Sequence, residues 1–113
     1  MSEAQTLLDQ AQRVVDAGEE SLRGVWPLAA AALTRQALES YARGRLTEHG
    51  ARVDEIRFGA LMLATQAVMD RDQARELTQL WAQLSECLHH TELGTTLDVA
   101  VAVERARALI SEV

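Results

Sequence analysis

Lysine and asparagine are absent from the 113 residues, and cysteine and proline occur once each. The lone Cys87 cannot close an intrachain disulfide, which excludes a stapled secreted scaffold. Long apolar runs are also missing. The longest stretches without a charged residue are Gly24–Thr34 and Phe58–Met69, of 11 and 12 residues. Both fall well short of the ~20 residues that span a bilayer. Nor is there a cationic excess, because 11 Arg stand against 17 acidic residues for a formal net charge of −6. Neutralising phosphates needs a cationic surface, so non-specific DNA or RNA binding is disfavoured. The first residues, Met1-Ser2-Glu3-Ala4-Gln5, are polar and acidic, unlike a signal or transit peptide. The expectation is a cytoplasmic protein with no membrane partner.

What is present is alanine and leucine. The chain holds 19 Ala and 16 Leu, and 48% of it is apolar. That length and apolar content suit one domain over residues 1–113 with a single core. The Ala/Leu excess and the scatter of β-branched residues favour helix over strand.

Five helices follow from the periodicity. Leu7, Leu8, Ala11, Val14 and Val15 make one stripe in a first helix over residues 3–17, with Gly18 at its C-terminal end. Glu19 to Gly24 reads as a polar connector. Trp26-Pro27 starts a second helix, Pro27 standing where its missing N–H costs nothing. Leu28 to Leu33 is apolar on every side, which predicts burial all round. Gly50 ends the segment. Asp54 is the expected N-cap of a third helix reaching Met69. Its few polar positions predict that it runs through the middle of the bundle. Asp70 or Asp72 caps a fourth helix with the stripe Leu77, Leu80, Trp81, Leu84 and Leu88, ending near His89-His90. Thr95 with Asp98 three residues on resembles a capping box opening a fifth helix, whose buried face is Val99, Val103, Ala106 and Ile110.

The densest group of chemical side chains is Leu84-Ser85-Glu86-Cys87-Leu88-His89-His90. Two His and one Cys are zinc-ligand types. Adjacent helical residues point about 100° apart, however, so His89 and His90 do not chelate one ion together. His49, the remaining His, belongs to a distant loop. No metal and no cofactor are expected. Cys87 borders the apolar stripe and reads as a buried, inert thiol rather than a nucleophile. The His pair has two readings. At a helix C-terminus a His complements the dipole and caps free carbonyls. Beside a turn between helices, it also presents an imidazole for acid/base work. Arg43, Arg45, Arg52 and Arg57 crowd one connection, but Glu48, Asp54 and Glu55 are interleaved, so an ordinary mixed surface is expected. Arg35, Gln36 and Glu39 follow directly on the apolar run of the second helix. They are either binding residues facing a partner or cleft, or a surface set in which Arg35 and Glu39 pair at i, i+4.

Two segments together resemble a known family. Ala30-Ala31-Ala32-Leu33-Thr34-Arg35-Gln36-Ala37-Leu38-Glu39 is similar to the second-helix signature of HEPN domains (higher eukaryotes and prokaryotes nucleotide-binding), an apolar run followed by Gln-Ala-x-Glu. The Leu84–His90 segment, with Thr91-Glu92-Leu93 and a capped last helix, is similar to the HEPN motif region. The nearest pattern is Leu-Ser-x-x-x-His-His, found in small HEPN-like proteins of high-GC actinobacteria, whose second helix also begins with Trp-Pro. The missing Lys fits the coding bias of such genomes. The resemblance covers nearly the whole chain in helix order and spacing.

It implies an all-α, mostly up-and-down bundle that forms a homodimer with the motif near the dimer cleft. Many members are metal-independent ribonucleases of toxin–antitoxin, phage-defence or RNA-processing systems. Their signature is Arg, four to six residues, then His, which promote attack of a ribose 2′-hydroxyl on the adjacent phosphate. Here the Arg positions hold Leu84, Gln83 and Ala82 counting from His89, and Ser85, Leu84 and Gln83 counting from His90. The group that would stabilise phosphate charge is therefore missing from them, unless Arg35 supplies it from another helix.

Three expectations stand side by side. The first is a non-catalytic HEPN-like protein that contacts RNA, a partner protein or an antitoxin. The second is a ribonuclease with His89 or His90 as acid/base, supported by Ser85, Glu39 or Arg35. The third is a structural helical adaptor.

Overall fold

The computed structural model describes residues 2–22, 26–50, 57–89 and 98–111. Among these the protein is an all-α bundle of five helices: α1 Glu3–Leu22, α2 Trp26–Glu48, α3 Phe58–Thr65, α4 Arg71–His89 and α5 Val99–Ser111. Arg52, Asp54, His90 and Thr95 lie outside the described residues.

The direction of each helix follows from its side-chain contacts. The start of α1 meets the second half of α2, where Ser40 donates to Glu3 across 3.3 Å. The end of α5 also meets the start of α1, through an Arg107–Asp9 ion pair of 2.9 Å. At the same end of the bundle the start of α4 lies beside the end of α5, with Asp72 and Leu109 lining one cleft. Hence α1 and α4 run one way and α2 and α5 the other. α2 packs against all four other helices and is the central element. Its 23 residues make a rod of about 34 Å, most of the 44 Å long axis.

The core is built largely from small residues at the α1–α2 contact and from leucines on α4. Ala4, Ala11, Ala30, Ala31, Ala37 and Ala42 are buried, and short side chains let two helices approach closely. From α4 come Leu77, Leu80 and Leu84, all fully buried. α5 adds the expected face of Val99, Val103, Ala106 and Ile110. The buried hydroxyls of Thr34 and Thr65 donate back to Ala30 and Met62 carbonyls, each at 2.7 Å, so neither is left unsatisfied.

Four expectations need correction. The first helix does not stop at residue 17. Gly18 does take a positive φ of 44°, with ψ −134°, but the chain only kinks there, and helix resumes to Leu22. In the Leu28–Leu33 run only Ala30 and Ala31 are buried, and the rest are half-exposed. An all-apolar stretch still has just one face toward its neighbours. The third helix is neither long nor central. α3 has 8 residues, and the turn after it folds Val68 and Met69 N–H onto the Thr65 carbonyl. Leu61, Met62 and Thr65 are buried, yet Leu63 is 66% exposed. Finally, α5 is capped by Asp98 itself, whose carboxylate accepts Ala100 and Val101 N–H at 3.0 and 3.3 Å. That is ordinary N-cap geometry. Asp70 does the same for α4, taking Asp72 N–H at 3.1 Å.

Candidate functional site

The antiparallel α2 and α4 meet along a seam that carries most of the chemical side chains chosen from the sequence. Its fixed point is Trp81, whose indole N–H donates to Glu39 Oε2 at 3.1 Å. Glu39 is 7% exposed. A carboxylate at that depth needs a donor, and a partly buried indole needs an acceptor. Each meets the other's requirement.

One turn along each helix, at the same level because the helices are antiparallel, come Arg35 and Ser85. Both are half-buried. Arg35 Nε and Ser85 Oγ are themselves buried, and neither has a hydrogen-bond partner among the described residues. The i, i+4 pair of Arg35 and Glu39 does not form. Glu39 turns to Trp81 instead, because the neighbouring helix offers a donor at a buried position. His89 stands one turn beyond Ser85, exposed, in the last turn of α4. Gln36 leaves this group. It is exposed and joins a separate cleft of about 590 Å³ between α1 and α2, with Glu3, Ser40 and Arg43. Glu39 borders both places.

The seam therefore gathers Arg35, Glu39 and Ser85, with His89 at its rim, and leaves out Gln36. His90 falls outside the described residues. Trp81 belongs to the site although its spacing marked it only as part of the core stripe. Its signal was chemical: an indole on an apolar stripe has to find an acceptor.

Chemically the seam encloses a guanidinium Nε–H and a hydroxyl without partners among the described residues, next to a carboxylate already engaged. Among the described residues no base bonds Ser85 Oγ. Cys87 is buried and free, as its place on the stripe predicts. No group of three His, Cys, Asp or Glu able to hold a metal occurs among the described residues. Of the four crowded arginines, Arg52 lies outside the described residues. Arg45 pairs with Glu48 at 3.7 Å, Arg43 lines the α1–α2 cleft, and Arg57 precedes α3. No described helix is long and apolar enough to cross a membrane. Set against protein-family models, curated proteins and solved structures, the chain matches none of them.

Proposed function

We propose that this chain is a HEPN-like helical bundle that acts by contact rather than catalysis, in a defence, toxin–antitoxin or regulatory setting. The α2–α4 seam is its contact surface. One observation carries the reading: the seam's carboxylate is held by Trp81, while its hydroxyl meets no base among the described residues. The partner is a protein, a second copy of the chain or an antitoxin, rather than RNA. A net charge of −6 opposes a phosphate backbone, whereas a peptide carbonyl or carboxylate fits the free guanidinium.

A second reading keeps the ribonuclease. In it Arg35 of α2, level with Ser85 by the antiparallel register, would stand in for the Arg absent from α4. Incubating pure protein with RNA, beside a His89→Ala/His90→Ala double variant, separates the two. The contact reading expects no cleavage by either protein and no growth arrest on expression. Cleavage by the wild type that is lost in the double variant and in Arg35→Gln would overturn it. Sedimentation of wild type and Arg35→Gln tests the homodimer. A dimer that weakens in the variant supports self-association through the seam.

A further inference from the structure

We draw no further inference here: the strongest candidate, the apolar outer face of α3 at Ala60 and Leu63, has nothing in the structure to show what covers it.

Discussion

Trp81 and Glu39 sit on different helices, 42 residues apart, and are joined by a 3.1 Å indole-to-carboxylate hydrogen bond. It is a polar tie between α2 and α4, and the carboxylate is nearly out of solvent. Trp81→Phe keeps the ring but removes the donor. A hydrogen bond to a charged group is lost and the carboxylate is left short of a partner, at about 1–3 kcal/mol. Glu39→Gln retains an acceptor and should cost less, because only the charge assistance goes. In urea unfolding, the double variant Trp81→Phe/Glu39→Gln should lose less than the sum of the two single changes. Strict additivity would show that the two residues are not coupled.

Gly18 and Gly44 should respond oppositely to the same change. Gly18 has φ +44° and Gly44 is inside α2, and a Cβ at either position would meet nothing within 4 Å. Space is therefore not the issue at either site. Gly18→Ala forces an L side chain into a backbone region it avoids, at about 1–3 kcal/mol. Gly44→Ala removes chain entropy from the unfolded state and should stabilise by about 0.5–1 kcal/mol. Chemical denaturation of the two variants checks the sign of each.

The position of α3 makes a third test. Leu84 is fully buried, and Leu63 is 66% exposed. Leu84→Ala opens a cavity in the core and should cost about 2–5 kcal/mol. Leu63→Ser should stay within about 0.5 kcal/mol of wild type, as surface substitutions do. A large loss at Leu63, measured by thermal unfolding, would mean that α3 is covered.

These residues also show which features are local. Leu77, Leu80 and Leu84 were legible because a helix repeats every 3.6 residues, and a stripe at that period has to face a core. The Asp70 cap was legible because a side-chain oxygen reaches N–H groups only two or three residues away. The end of α3 at Thr65 was not legible. No Gly or Pro marks it, and the turn is held by two N–H groups sharing one carbonyl. Low polarity around Leu63 was mistaken for burial, yet apolar residues also make up much of any protein surface. Of the site, Arg35 and Glu39 stood out because they follow directly on an apolar run. Their neighbours on α4 depend on the register between two helices far apart in sequence, which no local spacing encodes.

Ser85 separates stability from function. Its Oγ is buried and makes no hydrogen bond among the described residues, so the folded state carries the desolvation cost of a hydroxyl with nothing in return. Ser85→Ala should therefore raise stability, by about 1 kcal/mol, or a few degrees in Tm for a domain of this size. The same change removes a buried hydroxyl from the α2–α4 seam. If the seam is a contact surface, self-association or partner affinity should fall while Tm rises, the usual trade at a binding site. Differential scanning calorimetry and sedimentation on one preparation read both quantities. A variant with lower Tm would show that the hydroxyl supports the fold. A higher Tm with unchanged association would leave Ser85 outside the contact and confine it to Arg35, Glu39 and Trp81.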